Sequence, residues 1–381
     1  MSVPVITVTD LYLPPEDPGD NFDLILPFAL DRVDLRAVVL DVSIEKRESV
    51  REGVLGYPGP RDPGVIPVTQ LNALFGTSVP FGVSPFARMR ALDDQMRDVP
   101  AFQQRGPELI LETLRAADEP VHIMSFGSAR PIAVAFNRDP ALLREKTAMV
   151  HLSAGSTTLD YLEWNVYLDP IATRRVVDSG LPLGLYPCAS AVDCYTPDEH
   201  NTSWWLEDLR WIEGMHPALR RYLLYGLGGQ SRIDFLRALD EEPPAEIAEA
   251  VYARRHAVWE TAAWMIVSDS LLVRRGDGTH RIIARNERRA DDVVFRNELV
   301  PATAASHPSG LYTFETGDGP AHVFRRDDPL AYERALQEAL PHLYRSFTPP
   351  GWQGSTAGAL HDPESRVPAG PLSPSSEGAR P

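Results

Sequence analysis

Four aspartates crowd the start of the chain: Asp10, Asp17, Asp20 and Asp23. The segment before them, VPVITVT at 3–9, alternates and is β-branched, which predicts a buried strand ending at Asp10. Pro18 and Gly19 turn the chain, so several carboxylates can converge on one point. Hard cations such as Ca²⁺ take about six to eight oxygen ligands from such groups. The same spacing also describes a solvated acidic loop whose aspartate caps the next helix. Spacing alone leaves both open. In an open parallel sheet, ligands bind outside the carboxyl ends of the strands, so carboxylates that follow strands carry the most weight.

Further strands are predicted at 35–42 (LRAVVLDV), 120–126 (PVHIMSF), 147–153 (TAMVHLS) and 181–187 (LPLGLYP). Helices are expected at 23–31, where Pro27 is awkward, at 106–117, from about Pro131, and at 169–179; residues 51–68 read as loop. This alternation implies an α/β fold, a mostly parallel Rossmann-like sheet flanked by helices. Residues 200–265 are helical-looking and carry Trp204, Trp205, Trp211, Trp259 and Trp264. Large apolar residues at helical spacing usually pack a core, and a helical cap over a site is the sharper reading. Shorter strands, HRIIAR and AHVFRR, fall within 274–327, and a last helix is expected at about 330–343. The expected organisation is one domain over 1–347, with 200–265 as a cap region, and a disordered Pro-, Gly- and Ser-rich tail over 348–381.

The formal net charge is −16, with 37 Lys and Arg against 53 Asp and Glu. Such a field repels phosphate backbones and argues against a nucleic-acid polymer as partner, while tolerating a neutral small molecule or a cation. Cys188 and Cys194 are the only cysteines, too few for a disulfide framework and compatible with a reducing compartment. No basic region leads into an apolar stretch at the N-terminus, and no apolar run approaches membrane-spanning length. A cytoplasmic protein without membrane contact is expected.

The segment DPGDNFDLILPFAL resembles the N-terminal signature of the inosine–uridine preferring nucleoside hydrolases, usually DxDPGxDD before an apolar helix. Asp17-Pro18-Gly19 fits its centre and Asp23 its last aspartate, with Phe22 in an enlarged turn and Asp10 displaced by LYLPPE. LEWNVYLDPIATRRVVDSGLPLGLYP resembles the block AEFNxxxDPEAAxxVxxSGxPxxxxP, with Glu163, Asn165, Asp169 and Pro170 in register. PVHIMSFGSARPIAVAFNRDPALL resembles the strand–GPLTN–helix segment, with Pro131 where asparagine is usual. Ser268-Asp269 stands where the family has a His-Asp pair.

The resemblance implies the nucleoside hydrolase fold and metal-dependent hydrolysis of an N-glycosidic bond in a nucleoside or a related ribosylated metabolite, through an oxocarbenium-like state. It implies Ca²⁺ held by Asp10 or Asp17, Asp23, Asp269 and the backbone carbonyl of Arg130. Asp17 or Asp20 would take the proton of the metal-bound water. Glu163 and Asn165 would hold sugar hydroxyls, and Trp204 or Trp205 would stack on the base. Ser268 offers no useful proton donor, so His200 is the candidate replacement acid. Relatives of this type form dimers or tetramers. The alternative is a relative with altered chemistry that binds a ribosyl ligand without cleaving it. A third reading is a hydrolase whose substrate leaves without an acid.

Overall fold

The computed structural model describes residues 2–12, 18–41, 43 and 62–350. Among these, nine strands form one sheet. Strands β1 (Val3–Thr9), β2 (Val33–Leu40), β3 (Phe81–Val83), β4 (Val121–Phe126), β5 (Thr147–Ser153) and β6 (Leu183–Tyr186) stand in the order 3-2-1-4-5-6, all parallel. β7 (Trp204–Leu206) and β8 (His256–Val258) form a separate two-stranded ribbon. β9 (Ser270–Arg274), β10 (His280–Ala284) and β11 (Val293–Val294) form a small antiparallel sheet. β12 (Glu298–Ser306), β13 (Tyr312–Thr316) and β14 (Ala321–Arg325) complete the large sheet: β14 joins β6 in parallel, and β12 and β13 follow antiparallel.

The helices are α1 (Pro18–Asp23), α2 (Ile25–Ala29), α3 (Val65–Phe75), α4 (Ala101–Ala116), α5 (Arg130–Arg138), α6 (Pro140–Lys146), α7 (Trp164–Leu168), α8 (Pro170–Val177), α9 (Pro217–Leu227), α10 (Ala245–Tyr252), α11 (Thr261–Val267) and α12 (Pro329–Ser346). β1 is buried along almost its whole length because helices cover both faces of the sheet, which explains its continuous apolar character. One core gathers α1, α2, α3, α9, α11 and α12; the other gathers α4, α5, α6 and α8. Among the described residues no helix is long and apolar enough to cross a membrane.

Several expectations change. The helix at 23–31 is two short helices, 18–23 and 25–29, with Pro27 in the first turns of the second, where its missing N–H costs little. Residues 65–68, read as loop, open α3. The expected helical cap at 200–265 contains two strands as well, and Trp204 and Trp205 lie in β7. Phe22, the odd residue of the enlarged aspartate turn, is fully buried against Trp211 and Tyr344, with ring centroids at 5.5 and 6.5 Å, so it anchors α1 to α12. Pro131 occupies the first turn of α5, where its fixed φ suits a helix start. The tail from 351 onward lies outside the described residues.

Candidate functional site

The strand order reverses between β1 and β4, and a parallel sheet opens a crevice at that point, above the carboxyl ends. Asp10 follows β1 there and Asp41 follows β2; the Asp41 N–H donates to the Thr9 carbonyl at 2.8 Å. Gly127 follows β4. A Cβ on it would stand 2.7 Å from Asp41 Oδ2 and 3.3 Å from Asp10 Cβ, so only glycine lets the two carboxylates close over this position. Asp41 is fully buried and accepts from the Ser128 N–H at 2.6 Å. Burial raises its pKa, opposed by Arg130 and Ser128, and the Asp10 charge adds to the rise.

A cavity of about 360 Å³ opens at this edge. Asp10, Asp20, Glu163 and Glu260 supply its carboxylates, Asn165 an amide, and Tyr161, Trp164, Tyr195 and Trp259 aromatic rings, with Cys188 and Cys194 alongside. Among the described residues that line it, none is basic. Asp10, Asp20 and Glu260 are all nearly buried.

Glu163 ends the loop after β5 and caps α7. Its carboxylate accepts the Asn165 N–H at 2.9 Å, the Val166 N–H at 3.2 Å and the Gly155 N–H at 2.8 Å. Burial pushes its pKa up to about 7; the three N–H groups oppose the rise and the Asp10 charge adds to it. Asn165 is half-buried and donates its side-chain N–H to the Ser153 carbonyl at 2.9 Å, which leaves its oxygen as the free-facing end of a fixed amide. Tyr161 donates to Cys194 Sγ at 3.8 Å, and burial, followed by that bond, raises its hydroxyl to about 12. Trp259 donates its indole N–H to the Cys188 carbonyl at 2.9 Å, which fixes the ring on the wall.

The sequence-predicted residues divide clearly. Asp10, Asp20, Glu163 and Asn165 line one cavity. Asp23 lies next to it, beneath the floor, in a space of about 10 Å³ shared with Asp20, Glu260, Thr7 and Thr9. Asp17 lies outside the described residues. Asp269 stands apart: it ion-pairs with Arg285 at 2.5 Å and with Arg32 at 3.2 Å. Arg32 immediately precedes β2, so Asp269 is at the amino-terminal end of the sheet, opposite the cavity. Ser268 is buried beside it, its hydroxyl donating to the Trp264 carbonyl at 2.7 Å.

The Arg130 carbonyl belongs to the first turn of α5. Its side chain has a different part. The guanidinium is wholly buried and donates to Asp169 Oδ2 at 2.8 Å, the Pro85 carbonyl at 2.7 Å and the Leu168 carbonyl at 3.2 Å, with Asp41 Oδ1 at 3.9 Å. His200 donates from Nδ1 to the Phe324 carbonyl and faces Glu199, and it is not among the described residues that line the cavity. Trp204 is core. Trp205 does not line the cavity either; it lies 5.3 Å from the Tyr195 ring and beneath Arg255, and so backs one wall.

The expected Ca²⁺ meets a mixed fit. The donor chemistry suits a hard cation, since four carboxylates line the cavity. Yet no three carboxylate, histidine or cysteine groups among the described residues converge as metal ligands. The sequence reading missed Asp41, Tyr161, Tyr195, Trp259 and Glu260. Asp41 carried the same signal as Asp10, a carboxylate directly after a strand. The others sit in loops, with no periodicity to mark them.

An α/β protein with its cavity at the switch point of a parallel sheet is the class these features define. No protein-family model matches the chain. Among curated proteins it is 27% identical over 189 residues to the pyrimidine-specific ribonucleoside hydrolase RihA of Escherichia coli O1:K1, covering 44% of this chain and 56% of that protein. The match therefore spans little more than half the length of the relative. Among solved structures it resembles the plant nucleoside hydrolase PpNRh1, at 14% identity and TM-score 0.50, covering 89% of this chain and 98% of that one. An inosine-guanosine nucleoside hydrolase gives the same figures. The chain is a distant, divergent homologue of the nucleoside hydrolases and has their fold.

Proposed function

We propose that this protein hydrolyses the N-glycosidic bond of a ribosylated small molecule. The observation that carries the reading is the meeting of Asp10 and Asp20 with Glu163 and Asn165 in one cavity, from two motifs far apart in sequence. The name of the E. coli relative, a ribonucleoside hydrolase, points to the same bond.

In this reading the ribose lies over Glu163 and Asn165, whose oxygens accept hydrogen bonds from its hydroxyls as charge develops on the sugar. The aromatic walls hold the leaving base. Asp20, or Asp17, accepts the proton of the attacking water. Asp10 and Asp20 would hold a divalent cation, which when bound lowers the pKa of a coordinated water. Asp23, beneath the floor, positions Asp20.

The test is release of reducing sugar from uridine, cytidine and inosine, with and without a chelator, by the wild type and by Asp10→Asn. The expected result is turnover that the chelator abolishes and that Asp10→Asn lowers at least about 10²-fold without loss of the folded circular dichroism spectrum. Turnover unaffected by both would refute the roles given to Asp10 and the metal.

A second reading has its own support. Both oxygens of Glu163 already accept backbone N–H groups, and no three metal ligands converge among the described residues. A binding protein that keeps the ribose pocket without the chemistry fits these facts. Ribose binding by calorimetry without turnover of any nucleoside would establish it.

A further inference from the structure

β5 and β6 lie side by side in the sheet, so the loops that leave their carboxyl ends rise together beside the cavity. The first loop supplies Tyr161 and Glu163, and Trp164 opens α7 directly after it. The second supplies Cys188, Cys194 and Tyr195. Of the twelve large apolar residues exposed among the described ones, six belong to these two loops and α7: Leu159, Leu162, Trp164, Tyr167, Val192 and Tyr195. Single exposed apolar residues are ordinary on a protein surface, whereas a cluster of them at the mouth of a cavity marks a binding surface.

The cluster is held in place. Ser156 forms a parallel bridge to Ala189, the Thr157 hydroxyl donates to Asp198 at 2.9 Å, and Tyr161 donates to Cys194 Sγ. Trp164 is stacked on Tyr167, with ring centroids 5.4 Å apart at 29°, and the Arg88 guanidinium stands 4.7 Å from the Tyr167 centroid. Trp164 lines the cavity and is still 47% exposed, and Tyr195 does the same at 50%, so cavity and apolar rim are one continuous surface. Leu162 falls between the lining residues Tyr161 and Trp164, and Val192 between Cys188 and Cys194. Glu163 and Asn165 flank Trp164 in the chain, so a sugar held by them stands beside its ring, within reach of the rim.

We propose, resting on the hydrolase reading above, that the substrates of this site carry an aryl group beyond the nucleoside itself, which leaves the cavity by its mouth, stacks on Trp164 and covers the rim at Leu162 and Val192. An aryl face suits Trp164 because offset stacking adds to the gain from buried area, and Tyr167 already holds the ring. The arm is a spectator: the C1′–N bond breaks and water adds at C1′ as for a plain nucleoside. The base and the 5′ oxygen are the two ends of a nucleoside from which such an arm extends.

The full chain, as wild type, Trp164→Ala, Trp164→Phe and Leu162→Ser, is assayed on cytidine and adenosine and on their N-benzyl and 5′-O-benzyl derivatives, with uridine and inosine as references. The expected result is a kcat/KM about 10-fold or more higher for one of the two benzylated series, the gain from one buried aromatic contact. The series that gains places the arm on the base or on the 5′ oxygen. Trp164→Ala and Leu162→Ser should shrink that gain by about 3-fold or more, while Trp164→Phe, which keeps a ring, should retain most of it. Plain nucleosides cleaved as well as or better than both benzylated series overturn the proposal and leave the hydrolase reading standing. Cleavage of none of these compounds overturns both. A preference for benzylated substrates that neither Trp164→Ala nor Leu162→Ser diminishes overturns the assignment to this rim. So does a wild-type dimer in sedimentation that Leu162→Ser dissociates, because a second copy would then be what covers the rim.

Discussion

Replacing Arg130 with methionine should cost about 3–5 kcal/mol of folding stability, the range for stranding a buried charge by removing its partner. The side chain is wholly buried, as are Asp169 and Asp41. Asp169 Oδ2 accepts from Arg130 and also from the Met89 N–H at 2.9 Å, while Oδ1 caps α8 through the Ala172 N–H at 3.0 Å. The guanidinium also satisfies the Pro85 and Leu168 carbonyls. Methionine fills most of the volume but leaves a carboxylate facing an apolar chain and two carbonyls without their donor. Urea unfolding followed by circular dichroism reads the change as a lower midpoint at unchanged slope. Arg130→Lys keeps the charge but loses the planar fork, so it should fall between the two and serves if the methionine variant does not fold. A second cycle with Asp169→Asn should recover part of the loss, because the stranded charge is then gone. A loss under about 1 kcal/mol for Arg130→Met would refute the account of Arg130 as the tie between these segments.

His151 is fully buried, and burial, helped by His122, lowers its pKa to about 3 from an ordinary 6.5. Below pH 6.5 the unfolded chain takes up a proton that the folded chain refuses, so stability falls by about 1.4 kcal/mol per pH unit until about pH 3. The raised carboxyls of Asp41 and Glu163 act in the opposite sense, so the reading is a difference: between pH 6.5 and 5 the wild type should lose about 2 kcal/mol more than His151→Gln, and parallel urea midpoints for the two would contradict it. Asp269→Asn removes two part-exposed ion pairs, so it should shift stability by at most about 1 kcal/mol and leave turnover as in the wild type; loss of activity with the fold intact would return Asp269 to the site.

The sheet was legible because its strands are buried on both faces and carry unbroken β-branched runs; VPVITVT and TAMVHLS predicted β1 and β5 to the residue. Helix ends followed where an Asp-Pro pair caps, as at Asp169-Pro170. The tryptophan-rich middle misled, because a three-residue strand such as β7 is too short to show a period of two. Within the site, Asp10, Glu163 and Asn165 were visible because each follows a strand or sits in a dense motif. Arg130 was read for its carbonyl, since nothing local reveals that a long side chain will turn inward to reach Asp169. Ser268-Asp269 matched a pattern by type alone; Arg285 and Arg32, which hold Asp269 at the other end of the sheet, are distant in sequence.

The placement of β14 beside β6 has a consequence for how the chain is made. β6 ends at Tyr186, and the strand that covers its edge starts at Ala321, roughly 130 residues later. At ribosomal speeds of about 5–20 residues per second, that edge waits on the order of ten seconds for its neighbour. During that interval LGLY presents a row of unpaired backbone groups on an apolar strand, a template for pairing with another nascent chain. The segment made meanwhile, from Ala189 through the β7–β8 ribbon to α11, is the one that supplies Tyr195, Trp259 and Glu260 to the cavity wall. Slowing synthesis between these strands, or ending the chain before Ala321, should therefore favour aggregation over folding.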